Sequence, residues 1–506
     1  VSPFGCMPAL MHRPDVIGAM RAFRSPMDVD TQKVLKNFHE ISAIPRCSKK
    51  EQQIARHLEK WAHTHRFEFK KDPSGNLCIR VPGTSNQKTA SIVVLQGHLD
   101  MVCVKTENAD HDFTKDPIRL VYADDWITAA ETTLGADNGI AVALAMAVAE
   151  DDTVQHPPLE LLFTVDEESG LIGAKNLDPH LFEGRLLINL DSETEGVFTV
   201  GCAGGEETRI RLAVHPRAVP KGWRQYRIEV GGLHGGHSGI DIHKHRASAN
   251  KILARILYEI SVFSGMRLVD LTGGVTHNAI AREARAVFTC DPKQFDLMRP
   301  RITALQKHFQ AEYPAESGLS VSSAEIPEPG SDDRALTAEE TLTVAHLLMS
   351  LPHGVVRMSA DIPTLVETSC NLAMLKTKTG VVEIVSSQRS SVMSRLSEIT
   401  ARIKSIAALA GAETENENAY PAWPPNMASP LLDRCKKVYR ELFEKAPIVE
   451  TIHAGLECGI IGAKRPGMDM ISFGPTIENP HSPEERLHIP SVTQTWKFLT
   501  ALLKSF

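Results

Sequence analysis

The chain has no C-x-x-C pair, no apolar run long enough to span a membrane and no excess of basic residues, and each lack removes a class of function. Its nine cysteines (Cys6, Cys47, Cys78, Cys103, Cys202, Cys290, Cys370, Cys435 and Cys458) are scattered singly and are odd in number. Such spacing suits neither a disulfide framework nor a thiolate zinc knuckle, so free thiols in a reducing, cytoplasmic compartment are expected. A spanning helix needs about 18 apolar residues, and the longest candidate, 140–149, is only one core helix long. No membrane association is expected. Lysine plus arginine total 55 against 62 aspartate plus glutamate, a net charge of −7, whereas a nucleic-acid-binding surface normally needs a basic face. Small molecules are the expected partners. Residues 1–26 lack an apolar core followed by a small-residue cleavage site, so they read as a disordered extension rather than a secretory signal.

What is present is enough chain for more than one core, since 506 residues exceed what a single hydrophobic core organises. Ser48-Lys-Lys-Glu51 reads as a capping box, and Ile54, Leu58 and Trp61 recur at helical spacing, giving an amphipathic helix of about four turns. The runs 91–95, 159–165 and 186–190 are strand-like and are separated by helix-like stretches such as 140–150. That alternation predicts an α/β fold with a mixed, largely parallel sheet between helices. From about 206 the chain carries its own strands (226–230, 381–385) and helices (247–263, 337–350) but few clustered histidines or acids. It reads as an inserted α+β domain. A strand at 468–473 and a helix at 491–503 then resume the first pattern. The expected organisation is an extension 1–26, a first catalytic part 27–205, an inserted lid 206–414 and a second catalytic part 415–506.

Open parallel sheets bind ligands beyond the carboxyl ends of their strands, and here those ends carry the reactive groups. His98 and Asp100 follow the first run, Asp166-Glu167-Glu168 the second, and Asp191 the third, while Asp137 opens the helix-like stretch 140–150 between Gly135 and Gly139. A late histidine, His481, sits in a proline-rich loop. Each signal alone is weak. Among 21 histidines an H-x-D tripeptide arises by chance, an Asp at a helix start is usually a cap worth about 1 kcal/mol, and a loop histidine is usually exposed. Jointly, imidazoles and carboxylates suit zinc or a similar divalent ion, and two such ions roughly 3.5–4 Å apart can clamp both the attacking and the leaving oxygen. Asp137, Asp191, Glu168 and Glu167 would together neutralise two dications.

With these motifs assembled, the sequence resembles the aminoacyl-histidine dipeptidases, also called cytosol nonspecific dipeptidases or peptidase D. They belong to a di-zinc superfamily with the carnosinases, the aminoacylases and succinyl-diaminopimelate desuccinylase. The resemblance rests on Gln96-Gly-His-Leu-Asp-Met101, Thr132-Thr-Leu-Gly-Ala-Asp-Asn-Gly139, Glu167-Glu168, Asn189-Leu-Asp-Ser-Glu193, Gly235-Gly-His-Ser-Gly239, His453-Ala-Gly-Leu-Glu-Cys-Gly459 and Gly474-Pro-Thr to Pro480-His-Ser482. It implies a di-zinc exopeptidase-like catalytic domain interrupted by a lid. His98, Asp137 and Asp191 would hold one zinc, and Asp137, Glu168 and His481 the other, with cobalt or manganese able to substitute. Glu167 would be the general base and acid for a water bridging the two ions, and Asp100 would orient His98. The Asp137–Asn138 peptide bond would be cis. In the lid, His237, Asn278, Arg389 and Gly455 match positions that contact substrate, with Arg389 gripping the terminal carboxylate of a dipeptide. His237 matches a histidine that crosses the interface in dimeric relatives, which implies a homodimer.

The function so implied is hydrolysis of dipeptides, Xaa-His and broader. Two other readings remain: an amidohydrolase of N-acyl amino acids using the same metal pair, and an inactive peptide-binding protein. The last would require a lost ligand or base, and the sequence retains all of them.

Overall fold

Residues Val93–His98 and Leu159–Thr164 are buried at every position, and Leu186–Asn189 at all but the first, as expected for strands covered on both faces of a parallel sheet. The computed structural model describes residues 29–261, 265–327, 334–360, 362 and 364–506, so the extension expected at 1–26 lies outside the described residues. The chain divides into two units, and the first comprises residues to Thr199, Met427–Val449 and Arg465–Phe506. An eight-stranded sheet runs in the order Glu68–Lys71, Leu77–Val81, Leu159–Thr164, Val93–His98, Leu186–Asn189, Asp469–Ser472, Val197–Cys202 and Ile448–Ile452. The four strands from Leu159–Thr164 to Asp469–Ser472 run parallel. Glu68–Lys71, Leu77–Val81 and Val197–Cys202 join antiparallel. Register pairs His98 with Thr164 and Gln96 with Asn189, so the parallel strands release the chain at a common end. The acids and histidine that follow them are thereby gathered.

The helix Ala136–Glu150 is buried along almost its whole length and packs against Val93–His98. Gly97 permits that approach, because a Cβ there would lie 2.4 Å from Asn138 Oδ1 and 2.8 Å from Ala141 Cβ. No helix among the described residues is long and apolar enough to cross a membrane.

Two expectations are corrected. The capping box at Ser48 does not form, and Gln52–His65 starts without a side-chain cap. Ser48 Oγ instead donates to Asp100 Oδ2 at 2.8 Å, and Glu51 Oε1 accepts from the N–H groups of Lys49 and Asp166. Other partners, two of them remote in the chain, replace the local N–H donors that a capping box would use. Nor are all thiols free, because Cys47 and Cys103 form a disulfide across 56 residues of sequence. A parallel bridge between Cys47 and Met101 brings the two segments together, which linear spacing could not disclose. Cys78, Cys202, Cys290, Cys370, Cys435 and Cys458 form no disulfide and are buried.

The second unit, Val200–Asn426 with Glu450–Lys464, is an α+β assembly. Its nine-stranded sheet includes the sequence of neighbours Arg267–Gly273, Val366–Lys378, Val381–Ser390, Gly204–Ala213 and Glu413–Tyr420, with Gly354–Met358 joined to Val366–Lys378. The helices Ala249–Ser261, Pro292–Glu312, Ala338–Ser350 and Met393–Leu409 bury apolar residues such as Ile256, Phe295, Leu348 and Ile403 in the same core. This unit is wider than 206–414. Glu413–Tyr420 hydrogen-bonds along Gly204–Ala213, Cys202 and Trp423 exchange backbone hydrogen bonds, and Gly459 fits where a Cβ would lie 2.7 Å from Pro421 O.

Candidate active site

Two groups of potential ligands share one carboxylate in the first unit. His98, Asp137 and Asp191 each offer an atom within 4.8 Å of the others, and so do Asp137, Glu168 and His481. Asp137 reaches both histidines, with Oδ1 at 3.1 Å from His98 Nε2 and Oδ2 at 3.0 Å from His481 Nε2. His481 Nε2 also lies 3.0 Å from Glu168 Oε2. The five metal-ligand candidates read from the sequence are therefore brought together.

The local backbone explains how Asp137 serves both groups. Gly135 takes φ +69°, and Asp137 and Asn138 depart from helical angles, so the aspartate is turned out of the helix start. The Asp137–Asn138 peptide bond is cis. Glu485 holds this turn, its carboxylate accepting N–H groups of Leu134, Gly135, Ala136 and Asp137 at 2.9, 3.0, 2.8 and 3.3 Å. Arg46 ties the same turn to the next loop by donating to Leu99 O at 3.1 Å, Asp100 O at 2.9 Å and Gly135 O.

Asp100 links His98 to Glu167. Its backbone oxygen lies 3.2 Å from His98 Nδ1 and its Oδ1 lies 3.4 Å from the same atom, while its carboxylate accepts Glu167 N–H at 2.9 Å and Glu168 N–H at 3.2 Å. One fully buried acid thus fixes the histidine ring and the backbone of the paired glutamates.

The donor set fits divalent cations. Glu168 Oε1 and Asp191 Oδ1 are buried without hydrogen-bond partners, a cost of roughly 1–3 kcal/mol each, more when charged, unless a cation satisfies them. Burial alone would lower the His98 pKa, yet Asp191, Asp100 and Asp137 raise it well above the usual value. Hydrogen bonds to Asp137 and Glu168 push His481 up to about 11. Burial, reinforced by the charges of Asp137 and Asp191, pushes Glu193 up to about 8. These carboxylates crowd beyond what two imidazoles balance, which is the electrostatic condition for binding ions with imidazole and carboxylate ligands. A further all-acid group, Glu51, Asp100 and Asp166, is buried nearby, but backbone and Ser48 donors occupy Glu51 and Asp100.

The four substrate-contact candidates lie in the second unit. His237 Nδ1 accepts the N–H groups of Gly239 and Ile240 at 3.2 and 3.0 Å, which puts the ring proton of the neutral tautomer on Nε2. Asn278 is exposed, and its backbone oxygen accepts from Ser238 N at 2.7 Å. Arg389 is buried; Nη1 donates to Tyr420 Oη at 2.7 Å and Nη2 to Ser238 Oγ at 3.4 Å. Among the described residues no carboxylate pairs with Arg389, and its Nε has no hydrogen-bond partner. Gly455 abuts the Tyr420 ring, since a Cβ there would lie 2.8 Å from Cε2. The sequence reading missed Ser48, Arg46, Glu485, Ser238 and Tyr420. Ser238 lies within the quoted motif 235–239, Ser48 was read only as a helix cap, and Glu485 follows the motif ending at Ser482, but residue type alone gives none of them the role seen here.

Comparison with known proteins identifies the family. Residues 94–505 match Peptidase family M20/M25/M40. The chain is 40% identical over 467 residues to the cytosol non-specific dipeptidase of Escherichia coli, covering 92% of this chain and 96% of that protein. Its structure is similar to that of aminoacylhistidine dipeptidase from Vibrio alginolyticus, with a TM-score of 0.82 at 36% identity over 94% of this chain and 96% of that one. An aminopeptidase from Bacillus cereus, at 16% identity and a TM-score of 0.54 over 94% of this chain and 98% of its own, shares the fold.

Proposed function

Because this chain belongs to peptidase family M20/M25/M40 and is a peptide-bond hydrolase, we propose that it cleaves dipeptides, Xaa-His among them, using two zinc ions held by His98, Asp137, Asp191, Glu168 and His481. The observation that carries the reading is the pair of ligand groups sharing Asp137 with Glu167 beside them. The names of the Escherichia coli and Vibrio alginolyticus relatives supply the dipeptide substrate class. When bound, the ions supply Lewis acidity and lower the pKa of a water molecule toward neutrality, and cobalt or manganese would serve as well.

The residues of the chain do the rest. Glu167 takes a proton from the attacking water and gives it to the departing amine nitrogen, so the base becomes the acid. Asp100 holds His98 by Nδ1, leaving Nε2 as the ligand atom, and anchors Glu167 by its N–H. Arg389 forms two charge-assisted hydrogen bonds to the terminal carboxylate, with Asn278, His237 and Gly455 as further substrate contacts. A cytoplasmic location belongs to the same reading. With Cys47 and Cys103 joined it no longer follows from free thiols, and the name of the Escherichia coli relative supports it instead.

The role of Arg389 is testable. Arg389→Ala should raise KM for dipeptides by about 100-fold, the loss expected for charge-assisted hydrogen bonds worth roughly 1.5–3 kcal/mol each, while turnover of C-terminally amidated dipeptides stays unchanged. Equal losses on both substrates would remove Arg389 from carboxylate recognition. Assaying N-acetyl amino acids beside dipeptides separates the amidohydrolase reading, which requires the acylated compounds to be preferred.

The working form is proposed to be a homodimer in which His237 completes the partner's site. Its Nε2–H can donate to the oxyanion that develops at the attacked carbonyl, a role worth roughly 2.7–4 kcal/mol. Mixed dimers of Glu167→Ala and His237→Ala test this. If His237 acts across the interface, one site per heterodimer recovers activity. If it acts within its own chain, both sites stay damaged and the heterodimer is as inactive as its parents.

A further inference from the structure

We propose that Glu485 is a positioning residue of the metal centre: it sets the shared Asp137 against His481 and so governs the group Asp137, Glu168 and His481, while Asn138 ties Asp137 to the group completed by His98 and Asp191. The proposal rests on the two-ion reading given above, and it comes from the two separate ties that hold the turn presenting Asp137.

The first tie is a carboxylate. Glu485 is 1% exposed, and its two oxygens take four consecutive N–H groups, Oε2 those of Leu134 and Gly135 and Oε1 those of Ala136 and Asp137. The first N–H groups of a helix have no partner within it, and the N-cap position here is Gly135, which has no side chain to offer. Glu485 does that work from 350 positions away. Buried Arg46, which donates to the carbonyl oxygen of Gly135, adds a positive charge beside it.

Glu485 also shares a loop with His481. Ile477–Glu478 and Arg486–His488 pair antiparallel, with Glu478 opposite Arg486, and Arg486–His488 pairs in turn with Trp126–Ala129. Residues 479–485 therefore close a hairpin whose base is fixed in a sheet. Within the loop Glu485 N donates to Ser482 O at 3.0 Å, and Ser482 Oγ donates to Asn479 O at 2.9 Å. A short, internally bonded segment thus joins the imidazole to the carboxylate. Seating that carboxylate on the turn at 134–137 fixes His481 Nε2 at 3.0 Å from Asp137 Oδ2.

The second tie starts one residue further on. Asn138 Oδ1 accepts the N–H of His98 at 3.2 Å, and Asn138 Nδ2 donates at 3.1 Å to the carbonyl of Leu190, the residue before Asp191. Both bonds reach the ends of the parallel strands Val93–His98 and Leu186–Asn189, and neither passes through Glu485. Loss of Glu485 leaves Asp137 tied to His98 and Asp191 and frees it from the loop of His481.

Glu485→Gln keeps the shape but puts an NH2 group where an oxygen accepted N–H groups. In calorimetric zinc titrations of metal-free protein, wild type should bind two ions per chain. The variant should bind one ion within about threefold of its wild-type affinity and the other about 10–100-fold more weakly, the range for losing a residue that supports a ligand. His481→Ala, which keeps only the group of His98, identifies the site: its remaining ion should bind equally well with and without Glu485→Gln, whereas Asn138→Ala should weaken it about tenfold or more. Should Glu485→Gln not fold, Glu485→Asp, with both oxygens on a shorter arm, carries the same comparison. Equal weakening of both ions, unchanged affinity for both, or further loss when Glu485→Gln is added to His481→Ala overturns the proposal and leaves the two-ion reading intact. If wild type binds fewer than two ions, that reading fails and the proposal with it.

Discussion

Glu167→Ala is expected to lower kcat for dipeptides by about 10²–10⁴-fold, the range for a positioned proton-transfer group, while the protein keeps its full complement of metal. The separation of effects follows from how the residue is held. Its backbone N–H is fixed by Asp100 Oδ1 at 2.9 Å, and the two ligand groups that share Asp137 do not include it. Glu167 does lie within ligand reach of His98 and Glu168, so the proposed division of roles, Glu167 as base and the other five residues as ligands, predicts that truncating its side chain leaves the metal in place. The proposed mechanism routes two proton transfers through the one carboxylate, from water and then to the amine, so Glu167→Gln should be as damaged as Glu167→Ala although it preserves shape. Elemental analysis beside steady-state kinetics checks both halves. Undiminished turnover in either variant would require a different base, and loss of metal would make Glu167 a ligand.

Much of this centre was legible in the sequence because the sheet does the assembling. Buried runs ending in His98, Glu167-Glu168 and Asp191 need only parallel pairing to converge, and the registers of Val93–His98 with Leu159–Thr164 and Leu186–Asn189 provide it. The supporting residues were not legible, because their roles depend on partners remote in the chain. Glu485 lies 351 positions from Leu134, whose N–H it accepts, and nothing around it differs from an ordinary polar loop. Ser48 had a local reading as a helix cap that the nearby carboxylate of Asp100 overrode. Cys47 and Cys103 carry no spacing signal, since a strand-like bridge between Cys47 and Met101 joins them. Tyr420 reaches Arg389 only through a register row across neighbouring strands, with a glycine in the middle of it. Motifs disclosed the candidate ligands, whereas the scaffold that aims them required the fold.

Metal removal is expected to have the largest effect of all. Without cations, the carboxylates of Asp137, Glu168 and Asp191 crowd together, Glu168 Oε1 is buried without a hydrogen-bond partner, and Asp191 Oδ1 has only a 3.4 Å contact with His98 Nε2. Ions that bind the folded chain should also stabilise it, by about 2.7 kcal/mol for each site when free metal is a hundred times Kd. The melting temperature should therefore fall on chelation and recover with zinc.

The most direct test of the whole account is a zinc titration of the chelated protein, with bound metal and dipeptide hydrolysis measured on the same samples. Two ligand groups sharing Asp137 predict that the metal-free protein has no activity above background, and that hydrolysis reaches its maximum as bound zinc approaches two ions per chain. Dipeptide hydrolysis by the metal-free protein, or an activity plateau at one ion per chain, would contradict it.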